Sequence, residues 1–206
     1  MTNTDHTLIV SAGLKGNTGI GGNYLISASY SMIDSMLFFS NYTFPPFGAL
    51  PAEMGNHFIP LYDDGELLNI HGEITGLITD KVTYTGAANY YNYTLTNYDH
   101  AWNKPAWDGK IGVKYNLRDK IIAGLDIKAV GRRYLLTRRF DAMYGLSTIT
   151  FEEPVHVNIN LGVEYRYTRI LSFWLKLNNI SFDRYYEWAY YPTQRFIGLV
   201  GFTYSL

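Results

Sequence analysis

The sequence predicts an all-β fold, in which about ten antiparallel strands form part of the wall of a transmembrane β-barrel. Three observations support this fold class: long segments of alternating apolar and polar residues, short turns that alternate with long connections, and many aromatic residues. Aromatic residues make up 17% of the chain, with 19 tyrosines. Membrane barrels carry aromatic girdles where their strands meet the two bilayer surfaces, so this composition is typical of them.

The clearest alternation lies in the segment VHVNINLGVEYRY, residues 155–167. Every second residue from Val155 to Tyr167 is apolar or aromatic, and the residues between them are polar or glycine. Because residues two apart in a strand share a face, this segment predicts a strand with one apolar and one polar face. Its length exceeds the about five or six residues of soluble strands and suits the roughly 9–11 residues that cross a bilayer.

The same alternation recurs along the chain. It is clear in residues 68–78, 110–118, 121–132, 171–178 and 195–206, and weaker in 6–15, 20–32, 35–43 and 81–96. Short turns are predicted at residues 31–36, 78–82, 116–120 and 167–170, and long connections at 43–64, 97–108, 136–153 and 182–194. Short turns at one end and long loops at the other are the layout of bacterial outer-membrane barrels.

The polar face of such a wall borders an aqueous lumen, which tolerates charged side chains. The ionisable residues predicted on this face are His71, Glu73, Lys114, Asp126, Lys128, Arg132, Glu164, Arg166 and Lys176. They line a path for a solute, hold a plug, or simply make up a polar wall, and the last interpretation is the strongest one. His71 and Glu73 share a face and have side chains that can begin a metal site, but a hydrated wall explains them better.

The composition excludes several classes of function. Lysine and arginine total 17 against 18 aspartates and glutamates, so the chain has no basic excess for nucleic acid. Cysteine is absent, which excludes disulfides, cysteine-ligated zinc and thiol catalysis. No catalytic constellation stands out, and YDDGE (residues 62–66) lacks the spacing of an EF-hand loop. The sequence therefore predicts neither an enzyme nor a bound cofactor.

The last 30 residues carry a more specific pattern. It runs from Leu177-Asn178-Asn179 through a tyrosine-rich stretch to Pro192 and Arg195, and then into a final strand. The final strand has the alternating apolar pattern that the barrel-assembly machinery reads in outer-membrane proteins, carried by Gly201, Phe202, Tyr204 and Leu206. Residues 177–206 resemble the C-terminal end of TonB-dependent outer-membrane receptors, especially those of Bacteroidetes.

The resemblance implies a 22-stranded barrel in the bacterial outer membrane, occluded by an N-terminal plug, that takes up a metal chelate or a glycan. Residues 1–206 would then be one C-terminal barrel segment. The start of the chain lacks the pattern of a signal peptide, so we expect that signal and the plug in a preceding part of a longer polypeptide. Contact with the energy-transducing TonB partner would pass through that N-terminal part.

The long connections contain further ligand candidates. Trp102, Trp107 and Trp188 lie in or beside them, where indole rings stack on sugars or siderophore rings, or else join the interfacial aromatic belt. The belt is the stronger interpretation. The basic segment RRYLLTRR, residues 132–139, is expected near the outer rim, where it would meet anionic lipopolysaccharide.

Two alternatives stay open from the sequence. One is a small standalone outer-membrane barrel with a structural, adhesive or passive-pore role. The other is a soluble β-sandwich that binds carbohydrate through its loop tryptophans. A standalone barrel requires its first and last strands to pair with each other, whereas a sandwich requires two packed sheets.

Arginine substitutions test the assignment of the two faces. Ile159→Arg places a charge on the predicted lipid-facing side and should cost roughly 2–4 kcal/mol of unfolding free energy near the bilayer midplane. Asn158→Arg, on the lumen side, should cost much less. Urea unfolding in lipid vesicles measures both values, and equal losses would mean that the faces are wrongly assigned.

Overall fold

The structure is a computed structural model that describes residues 4–19, 21–43, 58–141 and 145–205. Eleven of its thirteen strands form one sheet, and the other two form a small hairpin. The strands are β1 (Asp5–Thr18), β2 (Gly22–Thr43), β3 (Phe58–Thr79), β4 (Val82–Leu95), β5 (Trp107–Leu117), β6 (Ile121–Val130), β7 (Arg133–Asp141), β8 (Gly145–Glu153), β9 (His156–Arg166), β10 (Leu171–Asn178), β11 (Tyr186–Trp188), β12 (Tyr191–Pro192) and β13 (Ile197–Tyr204). The predicted all-β fold class is confirmed. None of the described residues forms a helix long and apolar enough to cross a membrane.

Nine strands of the sheet, all except β7 and β8, form a continuous antiparallel array that we call the wall. Its order is β1-β2-β3-β4-β5-β6-β9-β10-β13. Short turns join β1 to β2, β3 to β4, β5 to β6 and β9 to β10, so these turns lie together at one end of the wall, the turn end. The long connections lie at the opposite end, the loop end. A single sheet of this kind is not the two-sheet packing that a β-sandwich requires.

The cross-strand register places like residues beside each other. Ile127 of β6 pairs with Ile111 of β5 and Ile159 of β9, which lie on the apolar face. One residue along, Lys128 pairs with Lys110 and Asn158 on the polar face. The alternation seen in single strands therefore continues across the wall as apolar and polar rows.

The apolar face of the wall has no protein cover in the described part of the chain. Leu14 is 74% exposed, Phe202 is 68% exposed and Val200 is 81% exposed. Contiguous apolar surface of this extent is not stable against water and marks contact with lipid or another apolar partner.

The predicted turn at residues 31–36 is wrong, because β2 continues through it to Thr43. The pairing with β3 shifts between Ile33 and Met36, which is a β-bulge, and Ser35 has a φ of 55°. Asp64 stabilises the bulge, since its Oδ1 accepts a hydrogen bond of 2.8 Å from the backbone N–H of Ser35. The SMIDSM segment, which mixes polar and apolar residues, fits a bulge as well as a turn, and only the pairing with β3 distinguishes the two.

Residues 136–153, predicted as a long connection, lie mostly in the hairpin of β7 and β8. This hairpin follows β6 in the chain but pairs with β2. In the sheet, β3, β4 and β5 lie between β6 and β2. There β7 pairs in parallel with the tip of β2, with Asn41 opposite Thr137. The irregular pattern of RYLLTRRFD hid this strand, because both Leu135 and Leu136 are buried.

The crossing of β7 creates a buried cluster at the loop end, which we call the loop-end core. Its members are Ile33, Met36, Phe38, Leu61, Trp102 and Leu136. Polar contacts tie three elements together around it: Thr137 Oγ1 donates to the carbonyl of Asn41 at 2.9 Å, and Asn41 Nδ2 donates to the carbonyl of Ala189 at 2.7 Å. The loop-end core thus joins the tips of β2 and β3 to the connections that follow β4, β6 and β10.

Neither outer edge of the wall is paired within the described residues. β1 pairs only with β2, and β13 pairs only with β10. The first and last strands of the wall therefore do not pair with each other. A barrel closed by these strands alone would require that pairing.

The buried hydroxyl of Thr137 offers a test of the crossing. Thr137→Val keeps the side-chain shape but leaves the carbonyl of Asn41 without this donor, which should weaken the β2–β7 contact by about 1–3 kcal/mol. Hydrogen exchange should become faster in β7 and β8 while β5, β6 and β9 stay protected. Thr148→Val, at an exposed threonine of β8, is the matched control; equal effects of the two variants would contradict the crossing.

Candidate functional site: cavities of the polar face and the loop end

Four of the predicted lumen residues surround one cavity on the polar face near the turn end. Lys114, Asp126, Glu164 and Lys176 line this cavity of about 750 Å³ together with Trp174. Glycines on neighbouring strands make room for it, since a Cβ atom at Gly124 or Gly162 would meet no atom within 4 Å.

The cavity is lined by both positive and negative side chains, and two of them contact neighbouring side chains. The lining contains two lysines, Lys114 and Lys176, and two carboxylates, Asp126 and Glu164. Arg166 Nε contacts Glu164 Oε1 at 3.1 Å, and Lys176 Nζ lies 5.5 Å from the ring centroid of Trp174. This arrangement describes a hydrated wall rather than a site selective for one sign of charge.

His71 and Glu73 lie on the polar face of β3, in a row of hydrogen bonds that crosses three strands. The Nδ1 atom of His71 is 2.7 Å from Oδ1 of Asn89, whose Nδ2 donates to Oδ1 of Asp108 at 3.0 Å. The Nε2 atom of His71 lies 3.7 Å from Oε2 of Glu73. Both ring nitrogens thus have protein neighbours, and the described residues contain no group of three or more side chains placed to hold a metal ion.

The carboxylates of the YDDGE segment have structural contacts. Asp63 is 3% exposed and accepts hydrogen bonds from the backbone N–H of Asn97 at 2.9 Å, from Nδ2 of Asn97 at 2.7 Å and from the N–H of Tyr98 at 2.9 Å. The side chain therefore anchors the connection between β4 and β5 to β3. Asp64 holds the bulge of β2, as described above.

A second group of cavities lies at the loop end, on both sides of Arg133. The larger has a volume of about 640 Å³ and is mostly apolar, with Phe39, Trp102 and Trp188 in its lining. The smaller has a volume of about 260 Å³ and is lined by Lys128, His156 and Tyr185 among others. Arg133 and Glu187 line both, so the two cavities meet at this pair of residues.

Arg133 is the first residue of β7 and is only partly satisfied by the protein. Its Nη2 donates to the carbonyl of Tyr186 at 3.0 Å, whereas its Nε is buried and has no hydrogen-bond partner among the described residues. The facing residue on β8 is Glu153, whose Oε1 accepts the backbone N–H of Tyr186 at 3.2 Å. Within the described chain, no carboxylate lies within ion-pair distance of Arg133. Burial lowers the pKa of the guanidinium from its ordinary value, against the opposing effect of Glu153.

Aromatic stacking fixes the walls around this arginine. The ring of His156 stacks on Tyr185 with centroids 3.7 Å apart, and the ring of His100 stacks on Tyr134 at the same separation. His156 is 5% exposed. Neither its Nδ1 nor the Nε1 of Trp102 has a hydrogen-bond partner by geometry within the described part of the chain.

The three predicted loop tryptophans have different environments. Trp102 is buried in the loop-end core at 6% exposure and lines the larger cavity. Trp107 begins β5 and pairs with Tyr90 of β4, in an exposed row of the apolar face. Trp188 packs edge-on against Phe39 and Phe58, which brings the β11–β12 hairpin onto the tips of β2 and β3. Two of the three thus border the same cavity.

The remaining predicted residues lie apart from the loop-end cavities, except Lys128. Arg132 lies between β6 and β7, outside the strand in which it was expected, and its Nε pairs with Glu152 at 2.9 Å. In β13, Phe202 and Tyr204 lie on the apolar face, whereas Gly201 faces Trp174, whose ring leaves no room for a Cβ. Leu206 lies outside the described residues.

Sequence reasoning missed Arg133, His156, Tyr185 and Asp108 as neighbours. Alternation alone places His156 and Asp108 on the polar face, so that signal was present in the sequence. The position of Arg133 depends on β7, and that of Tyr185 on the fold of the β10–β13 connection. No local pattern predicts either.

Removal of the Asp63 anchor should loosen the β4–β5 connection. Asp63→Asn replaces one acceptor oxygen by a donor that faces the N–H groups of Asn97 and Tyr98, at a cost of about 1–3 kcal/mol. Residues 97–106 should then exchange their amide hydrogens faster. Asp99→Asn changes an exposed carboxylate of the same connection and should have no effect; similar exchange in both variants would disprove the anchoring role.

Comparison with known proteins supports the fold. No family model matches the chain, and no curated protein matches it. Among solved structures, it is similar to the pyoverdine outer membrane receptor FpvA of Pseudomonas aeruginosa PAO1, with 12% identity and a TM-score of 0.72 over 96% of this chain and 29% of that one. It is also similar to the ferric-catecholate import receptor Fiu of E. coli K12, with 15% identity and a TM-score of 0.67 over 95% of this chain and 27% of that one.

A third similar structure is the copper transporter OprC, with 14% identity and a TM-score of 0.66 over 96% of this chain and 30% of that one. The chain therefore spans less than a third of the length of each of these proteins. At such identities the likeness concerns the fold alone. The wall has the fold of a contiguous set of strands from the barrels of outer-membrane receptors.

Proposed function

We propose that the chain is the C-terminal barrel segment of a TonB-dependent outer-membrane receptor, of the kind found in Bacteroidetes, and serves in nutrient uptake. The observation that carries this proposal is the wall, with one exposed apolar face and one polar face that bears cavities. The role is transport and not catalysis. The ligand is a metal chelate or a glycan that enters at the loop end.

The exposed apolar face supports the membrane location. Residues such as Leu14 and Val200 are more exposed than a water-soluble sheet tolerates in such number, and lipid removes that surface from water. The partners of this face are the bilayer and, near the loop end, lipopolysaccharide. The barrel-assembly machinery is the proposed partner of β13 during insertion.

The unpaired outer edges of β1 and β13 support a larger barrel of 22 strands over a standalone one. Backbone groups that remain unpaired at membrane depth cost several kcal/mol each, so spanning sheets close completely. Further strands of a longer polypeptide would supply that closure. The plug and the segment that contacts TonB would belong to the same polypeptide.

Single cysteine substitutions test location and orientation, because the chain contains no native cysteine. Arg184→Cys introduces a cysteine into the connection before β11, and Asp80→Cys introduces one into the turn between β3 and β4. In intact cells a membrane-impermeant maleimide should label the first variant only, and should label both after the outer membrane is permeabilised. Recovery of the protein in the soluble fraction, or labelling only of Asp80→Cys in intact cells, would refute the proposal.

A further inference from the structure

We propose that the β11–β12 hairpin is a flap over the larger loop-end cavity, and that Arg133 and Glu153 form a latch that holds this flap closed. The inference rests on the proposed function, in which a ligand enters at the loop end, and names the element that controls this entry. The flap supplies Glu187 and Trp188 to the lining of the cavity, which has a volume of about 640 Å³. Ligand pockets have volumes of about 300–1,000 Å³, so the space behind the flap suits a small ligand.

The latch binds one residue of the flap by both of its backbone polar groups. Nη2 of Arg133 donates to the carbonyl of Tyr186 at 3.0 Å, and the N–H of Tyr186 donates to Oε1 of Glu153 at 3.2 Å. Arg133 and Glu153 are register partners at the base of the β7–β8 hairpin, so they lie side by side. The N–H and C=O of one extended residue point to the same side, and the two side chains therefore take the place of a neighbouring strand beside Tyr186.

Both hydrogen bonds of the latch involve a charged group. Such bonds are roughly twice as strong as bonds between neutral groups. Glu153 is 6% exposed, so water competes weakly for its carboxylate. The two charges lie beyond ion-pair distance of each other, and the backbone of Tyr186 bridges them. A single substitution in the latch therefore removes a strong contact of the flap.

The flap is otherwise separate from the wall. β11 and β12 pair with each other, and neither forms a ladder with another strand of the described chain. Further contacts come from side chains: Nδ2 of Asn41 donates to the carbonyl of Ala189 at 2.7 Å, and the ring of Trp188 lies 6.1 Å from that of Phe39 and 5.0 Å from that of Phe58. Segments that few contacts hold open without unfolding of the rest of a protein.

The base of the flap is tied together, so the flap can turn about it as a unit. Asn179 is 4% exposed, and its Nδ2 donates to the carbonyls of Asp183 at 2.7 Å and Gln194 at 3.0 Å. The N–H of Thr193 donates to the carbonyl of Tyr185 at 2.8 Å. These bonds join the segments directly before and after residues 186–192. Hinges of this kind consist of a few residues at the ends of a moving element.

Thiol labelling of Met36→Cys measures the opening of the flap in the detergent-solubilised protein, since the chain has no native cysteine. Met36 belongs to β2, lines the cavity behind the flap and is 6% exposed, so a maleimide needs the open flap to reach this position. Labelling should be at least about tenfold slower than that of Thr148→Cys, at an exposed position of β8. Equal rates would overturn the proposal.

Variants of the latch locate the effect. In the Met36→Cys background, Glu153→Ala removes the acceptor for the N–H of Tyr186 and should make labelling about tenfold faster, because it deletes a hydrogen bond to a charged group. Glu152→Ala is the matched control, since this neighbouring carboxylate is exposed and pairs with Arg132 at 2.9 Å. It should leave the rate unchanged. The same rate in both variants would refute the latch.

Glu153→Gln protects the test against misfolding, because it keeps the shape of the side chain and replaces the charged acceptor by a neutral one. Labelling should then be several-fold faster than in the native latch and slower than in Glu153→Ala. Hydrogen exchange should become faster in residues 186–191 and stay unchanged in β5, β6 and β9; faster exchange in those strands as well would contradict a local latch. These measurements in detergent do not depend on membrane location or orientation, which the labelling of Arg184→Cys and Asp80→Cys measures separately.

Discussion

The structure depends on the register between neighbouring strands of the wall. Each backbone group of a wall strand finds its partner on the next strand, and the register also decides which side chains share a face. Rows such as Ile111–Ile127–Ile159 remain apolar across three strands, and the adjacent row Lys110–Lys128–Asn158 remains polar. A slip of one residue in any pair would bring charged side chains to the apolar face.

This register has an energetic consequence for the whole chain. A soluble domain gains most of its stability from apolar surface that is buried against its own elements. In the wall, by contrast, Ile111, Phe173 and Val200 remain exposed, so the described residues do not bury this face. Lipid provides the missing apolar contact in the proposed receptor, and the sheet can then remain one layer thick with a polar second face.

The loop end follows a different principle from the wall. The buried apolar cluster of the described residues lies here, where β7 crosses to β2 and Trp102 fills the space beneath it. Hydrogen bonds through Asn41, Thr137 and Asp63 anchor connections that would otherwise be long loops. The same region holds Arg133, whose Nη2 donates to the carbonyl of Tyr186 at 3.0 Å.

The two cavity regions of the protein also differ in their electrostatics. Near the turn end, Lys114 and Lys176 line the same cavity as Asp126 and Glu164, so its lining holds equal numbers of positive and negative side chains from this set. Near the loop end, Arg133 lacks such a partner among the described residues. The lumen charges that the sequence predicts therefore describe a polar interior, whereas Arg133 lies in a segment that the alternation does not cover.

The alternation in the sequence was enough to predict the all-β class, the two faces and most strands of the wall, because a period of two is a local property that each strand carries. It did not predict that β2 runs unbroken to Thr43 or that β3 begins at Phe58. The alternation predicted that His71 and Glu73 of one strand share the polar face with Lys128 of another strand. The register between the strands agrees. Three features come from tertiary contacts alone: the bulge within residues 31–36, the pairing of β7 with β2, and the cavity that Arg133, His156 and Tyr185 line together. These features depend on contacts between segments far apart in the chain, such as Asn41 with Ala189, and local periodicity contains no information about such contacts.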